Sequence, residues 1–229
     1  MKTLLYLFLQ LIFFASSLFS QIVDSINYSD SINIVVLGSS TAFGVGPTSK
    51  DSSWVNRYKR YAKKINPKIS IHNLAIGGYT TYRILPNNFT SPPLRPTPSV
   101  GHNITKALEF KPTAIIINLP SNDAGRGYSI AEQIANYKTI IEKADAEYVP
   151  LWVATTQPCN YDSLTRTVLM EMRDSTYSIW GDHAIDFWNG IADSVGRIDP
   201  KFDSGDGVHL NNAGHRILFN RVVDKLNLK

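Results

Sequence analysis

The segment Ile32-Asn33-Ile34-Val35-Val36-Leu37 is apolar at five of its six positions and β-branched at four. A run so short, so branched and so nearly continuous in hydrophobicity reads as a strand buried on both faces, because a strand with one wet face would alternate. Working outward, comparable runs recur at Ile69–Leu74, at Thr113–Leu119 with Ala114-Ile115-Ile116-Ile117 at its centre, at Val149–Thr155, and more briefly at Ala184–Phe187. Helical periodicity fills the intervals. Trp54, Tyr58, Tyr61 and Ile65 are spaced four, three and four behind a cap at Asp51 or Ser52. Ser129-Ile130-Ala131-Glu132 has capping-box spacing ahead of an inner face of Ile130, Ile134, Tyr137, Ile141 and Ala144. A helix around Leu164, Val168 and Met172 follows, and Ala213, Ile217, Leu218, Val222 and Leu226 line a closing one. Alternating strands and helices imply crossover connections on both faces. The expectation is a single doubly wound, flavodoxin-like α/β domain with a parallel five-stranded sheet between helices.

Composition agrees with one globular core: 229 residues, 43% hydrophobic and 18% charged. Lysine plus arginine number 23 against 19 acidic residues, a formal charge of +4. The clusters Lys59-Arg60 and Lys63-Lys64 fall on one helix and form a solvated face, too sparse for a nucleic-acid footprint. Lys2, the apolar stretch Leu4–Phe14 and the small and polar residues Ala15–Gln21 follow the order of a secretory signal peptide. The apolar stretch is short beside the ~20 residues of a membrane span. Residues 1–20 are therefore expected to be removed, an uncleaved N-terminal anchor being the alternative, leaving residues 21–229 as an exported domain, periplasmic or extracellular, with no stable membrane insertion. Cys159 is the only cysteine, so no internal disulfide forms. Five of the 12 prolines crowd into Pro86–Pro98, which reads as a stiff irregular loop. The sequons at Asn27, Asn88 and Asn103 matter only in a host that glycosylates.

Ligands of such sheets bind at the carboxyl ends of the strands, so the residues after each strand carry the chemistry. These are Gly38-Ser39-Ser40-Thr41 after the first, Asn73-Leu74-Ala75-Ile76-Gly77-Gly78 after the second and Pro120-Ser121-Asn122-Asp123 after the third. Asp206-Gly207-Val208-His209 precedes the last helix. A serine hydroxyl is a weak nucleophile until a base takes its proton, and the base needs a third group to fix its tautomer. Ser40, His209 and Asp206 supply all three types. The amides of Ser40 and Gly78 and the side-chain amide of Asn122 are neutral donors suited to a developing oxyanion. Taken singly, each of these residues is an ordinary turn residue; their joint order is what carries weight.

The four segments resemble the four blocks of the SGNH, or GDSL-type, serine hydrolases. The resemblance spans nearly the whole mature chain and implies Ser40 as nucleophile, Asp206 and His209 as the rest of the triad, and Ser40, Gly78 and Asn122 as the oxyanion hole. Three departures stand out: Ser39 replaces the aspartate of Gly-Asp-Ser and becomes a rival nucleophile, Pro120 replaces a glycine, and Ala75 replaces another. The expected activity is hydrolysis of carboxylic esters through an acyl-enzyme, on short acyl groups such as O-acetyl groups of glycans, with no cofactor or metal. Lysophospholipase, lipase or thioesterase activity, acyl transfer through the same triad, and a non-catalytic glycan-binding module are the alternatives. The partner is then a small-molecule or glycan ester.

Other readings are weaker. Asp203, Asp206 and His209 stand at three-residue steps but lack the remaining ligands of a calcium loop. Gly44 and Gly46 lack the third glycine of a dinucleotide fingerprint. His72, His102, His183 and His215 default to structure, Asp123 to a local cap and Cys159 to a quiet thiol. Phe43, Tyr79, Tyr82 and Phe89 are expected either to line the site or to pack loops.

Overall fold

The computed structural model describes residues 32–119 and 121–228. The expected signal peptide and Pro120 lie outside the described residues. Strand β1 (Asn33–Gly38) leads into a single helical turn, α1 (Ser40–Phe43), and then helix α2 (Trp54–Ile65). Strand β2 (Ser70–Asn73), helix α3 (Ile104–Glu109) and strand β3 (Ala114–Asn118) follow. Next come α4 (Asn122–Gly125), α5 (Ile130–Asp145), β4 (Leu151–Ala154), α6 (Ser163–Trp180), β5 (Ala184–Ile185) and α7 (Asn212–Leu226). The five strands form one sheet in the order β2-β1-β3-β4-β5, every pair parallel. That is the doubly wound order, with its switch point between β1 and β3.

The alternating side chains of β1 explain why its sequence is apolar throughout. Ile34 and Val36 enter one core with Ile116, Trp152 and Ala154 of the neighbouring strands, Trp54 and Tyr58 of α2, and Leu218 and Val222 of α7. Val35 and Leu37 enter the other, with Ile115, Ile117 and Val153, Ile104 of α3, Tyr137 and Ile140 of α5, and Met172 of α6. Full burial of each such side chain contributes about 1.5–3 kcal/mol, so both faces must be covered. Among the described residues no helix is long and apolar enough to cross a membrane.

Several local expectations need correction. The cap of α2 is Ser53, whose hydroxyl accepts from the Asn56 amide, because Lys50–Ser52 is taken up in a 3₁₀ turn. Its buried face is Trp54, Val55, Tyr58 and Ala62, whereas Tyr61 packs only partly and Ile65 is exposed. The capping box at Ser129 and Glu132 is present. The buried face of α5, however, is Gln133, Asn136, Tyr137, Ile140 and Ala144. Leu164 is exposed, and Leu169 with Met172 forms the inner face of α6.

Candidate active site

The switch point brings the ends of β1 and β3 together and places Ser40 and Asn122 just beyond them. Ser40 opens α1, so its amide has no carbonyl to pair with inside its own helix. The turn is tied to β2 by Asn73, whose Nδ2 donates to the Ala42 carbonyl at 2.8 Å. His209 lies 169 residues further along the chain, yet its Nε2 is 2.8 Å from Ser40 Oγ. Its Nδ1 is 2.6 Å from Asp206 Oδ2. The arrangement fits one tautomer, in which Nδ1–H donates to the carboxylate and Nε2 accepts from the hydroxyl. The other oxygen of Asp206 accepts the amides of Val208 and His209 at 2.9 and 2.8 Å. Burial alone would raise the Asp206 carboxyl, but the bonds from the His209 ring and from these two amides outweigh it and hold it far below the ordinary carboxylate range. Asp206 therefore stays ionised beside the ring.

The loop of His209 is pressed against that of Ser40. A Cβ on Gly46 would lie 2.2 Å from the Leu210 carbonyl and 3.0 Å from the His209 Cβ, so only glycine permits the approach. Gln157, just past β4, bridges the same two loops. Its Oε1 accepts from Thr41 Oγ1 at 2.9 Å and its Nε2 donates to the Val208 carbonyl at 2.8 Å. Thr41 adjoins Ser40 and Val208 adjoins His209, so Gln157 sets the spacing between them. Reading the sequence missed this residue; its only signal was a polar side chain three residues past the end of an apolar strand.

On the other flank, Ile76–Tyr79 is a turn closed by Tyr79 N–H to the Ile76 carbonyl at 3.3 Å. Gly78 sits at its third position with φ +78°, the left-handed conformation a type II turn requires there. The Gly78 amide is not used by that turn bond. Asn122 Nδ2 donates to the Tyr79 carbonyl at 2.8 Å, which leaves its second amide hydrogen for another acceptor. The next residue, Asp123, is buried and accepts Thr81 N–H with both oxygens at 3.1 Å and Thr81 Oγ–H at 2.6 Å. Asp123 thus caps the 3₁₀ turn Thr81–Ile84 rather than its own helix. Asn136 Nδ2 completes this network on Thr81 Oγ1 at 2.8 Å. Adjacent side chains of α4 thereby clamp the Gly78 loop at two points.

The remaining expected residues are engaged elsewhere. Ser39 is 0% exposed, and among the described residues its hydroxyl has no hydrogen-bond partner. Asp203 does not join Asp206 and His209; its carboxylate accepts the amides of Gly205 and Gly207 and the Asn160 side chain. Gly44 is the left-handed cap of α1. His72 stacks on Phe110, His102 meets the Leu74 carbonyl, and His183 meets the Leu151 carbonyl. Buried His215 accepts the Trp54 amide at Nδ1. Cys159 is buried, its thiol pushed up to about 12 by that burial. Of the aromatics, Phe43 is exposed next to the serine turn and Tyr79 is tied to Ser99 Oγ, whereas Tyr82 and Phe89 pack on each other. Asn103 is fully buried as the cap of α3 and offers no room for a glycan.

The profile of the GDSL-like lipase/acylhydrolase family matches residues 36–217, which contain all four segments. No curated protein matches the sequence. Solved structures share the fold at low identity. The psychrotrophic esterase EstA from a Pseudoalteromonas species has a TM-score of 0.62 at 18% identity, over 86% of this chain and 97% of its own. A GDSL-like lipase from Bacteroides thetaiotaomicron has 0.62 at 14% identity, over 92% and 96%. A variant of the acetyl-xylooligosaccharide esterase Axe2 from Geobacillus has 0.65 at 15% identity, over 87% and 96%.

Proposed function

The chain belongs to the GDSL-like lipase/acylhydrolase family, and from that premise we propose that it is an exported serine esterase that removes short acyl groups, such as the O-acetyl groups of glycans, through an acyl-enzyme. The observation that carries this reading is the continuous chain Ser40 Oγ, His209 Nε2, His209 Nδ1, Asp206 Oδ2, joined at 2.8 and 2.6 Å. His209 takes the serine proton as Ser40 attacks the ester carbonyl, and Asp206 holds the resulting imidazolium in place. The carbonyl oxygen becomes negative and is received by the amides of Ser40 and Gly78 and the free hydrogen of the Asn122 side chain. His209 then protonates the departing alcohol, and water activated by the same ring releases the acid. A polar substrate such as a glycan is supported by the cleft beside Gly78, which carries three arginines among its lining residues. The relative that acts on acetyl-xylooligosaccharides offers a precedent for such a substrate on this fold. Export rests on the leader-like pattern of residues 1–20.

The test is hydrolysis of p-nitrophenyl esters from acetyl to long acyl chains by the native protein and by Ser40→Ala. The expected result is highest kcat/KM on acetate and a fall of at least ~10³-fold in kcat for the variant, with its melting transition retained. A folded Ser40→Ala protein keeping most of its activity would remove Ser40 from the mechanism.

A further inference from the structure

A cavity of about 560 Å³ opens beside Gly78, between the Thr81–Ile84 turn, the end of α4 and the proline-rich loop. Three of its lining residues are arginines, Arg83, Arg95 and Arg126, and none is acidic. The three cations are not equivalent. Arg95 is neutralised by Glu132, with its Nε on Oε1 and its Nη2 on Oε2 at 3.1 Å, and its guanidinium lies 4.1 Å over the Tyr128 ring. Glu132 also serves the capping box of α5, so Arg95 pins the proline-rich loop to the body of the fold. Arg83 donates to the Thr97 carbonyl at 3.2 Å, a neutral acceptor that leaves its charge uncompensated. Among the described residues neither Arg83 nor Arg126 is in an ion pair. Two uncompensated guanidinium groups in a concave site attract an anion, and guanidinium matches a carboxylate in charge and shape.

The position gives this charge a consequence for catalysis. Gly78 belongs both to the cavity wall and to the proposed oxyanion hole, so the cavity adjoins the place where the ester carbonyl would sit. An acetyl group has no place for a second charge, so the charge must sit on the alcohol. Resting on the O-acetyl reading above, we propose that this cleft is a subsite for a carboxylate carried by the alcohol part of the substrate, as on an acetylated uronate-type sugar, with Arg83 and Arg126 as its receptors. Arg95 holds the wall and takes no part in the charge recognition.

The experiment compares acetylated oligogalacturonate with acetylated cello-oligosaccharide of equal length, for the native protein and the Arg83→Gln/Arg126→Gln variant, at low and high sodium chloride. The expected result is a kcat/KM preference of about tenfold or more for the uronate, one charge-assisted bond being worth roughly that factor. Added salt should erode the preference, and the double variant should lower it by about tenfold or more. Equal kcat/KM on the two substrates, or a preference untouched in the variant, would overturn the proposal while leaving the esterase reading intact. Calorimetry of Ser40→Ala with unacetylated oligogalacturonate, cello-oligosaccharide and inorganic phosphate separates the two readings. Arginine-dependent binding of oligogalacturonate without hydrolysis of any ester would keep the subsite and discard the esterase. Binding of phosphate in preference to oligogalacturonate would overturn the carboxylate assignment.

Discussion

Ser39 and Ser40 are chemically identical neighbours that end in opposite environments. Ser40 meets His209, whereas Ser39 is sealed beneath the turn with an unpartnered hydroxyl. A buried hydroxyl without a hydrogen bond is a liability of about 1–3 kcal/mol, of which removal recovers part. Ser39→Ala is therefore expected to stabilise the protein by ~1 kcal/mol in urea melts while keeping ester hydrolysis. A loss of turnover matching that of Ser40→Ala would contradict this placement. Residue type alone does not separate the two, since the choice depends on how the chain leaves β1; it was the resemblance to the family's first block that singled out Ser40 and left Ser39 as the rival. Asp123 was opaque for a related reason: its partner Thr81 is 42 residues away.

At the scale of elements, the strands were legible because burial on both faces demands unbroken hydrophobicity, and Ile34–Leu37 meets that demand residue by residue. Helix faces were read less well, because polar residues can be buried when a network satisfies them. Asn136 turns inward to Thr81 and Gln133 to the Tyr128 carbonyl, so the fully buried stripe of α5 centres on Ile140, while the expected Ile130, Ile134 and Ile141 pack on the same core only in part. The spacing of the site is likewise a matter between elements. Gln157 carries it from the end of β4 by bonding one residue beside Ser40 and one beside His209. Gln157→Leu keeps the volume but strands the Thr41 hydroxyl and leaves the Val208 carbonyl only the weak Cys159 thiol at 3.8 Å. Its expected effect is a fall in kcat of about 10–10²-fold with KM little changed, since misplacement by an ångström costs the reacting geometry and not ground-state binding. A change confined to KM would show that Gln157 shapes the pocket instead.

Among the groups that make the stability of the whole molecule depend on pH, two buried ones pull against each other. Burial pushes His215 down to about 4, so between pH ~6.5 and 4 the unfolded chain takes up a proton that the folded one refuses, and stability falls as pH drops. Burial, opposed by the Thr81 bonds, pushes Asp123 up to about 6, so from there to ~3.8 the folded chain takes up the proton and stability rises as pH drops. Each slope approaches 1.4 kcal/mol per pH unit at full effect, and across pH 4–6 they largely cancel. Urea melts of Asp123→Asn should show stability declining with acid in that window, and those of His215→Gln should show it increasing. Parallel profiles for the two variants would refute the opposition. The long separation of Ser40 and His209 has a consequence in time rather than space. As the chain is synthesised, Ser40, Gly78 and Asn122 emerge first, and His209, the proposed base, emerges near the end. Under the proposed mechanism a nascent chain therefore holds its serine without the base, and activity begins only when the closing helix docks.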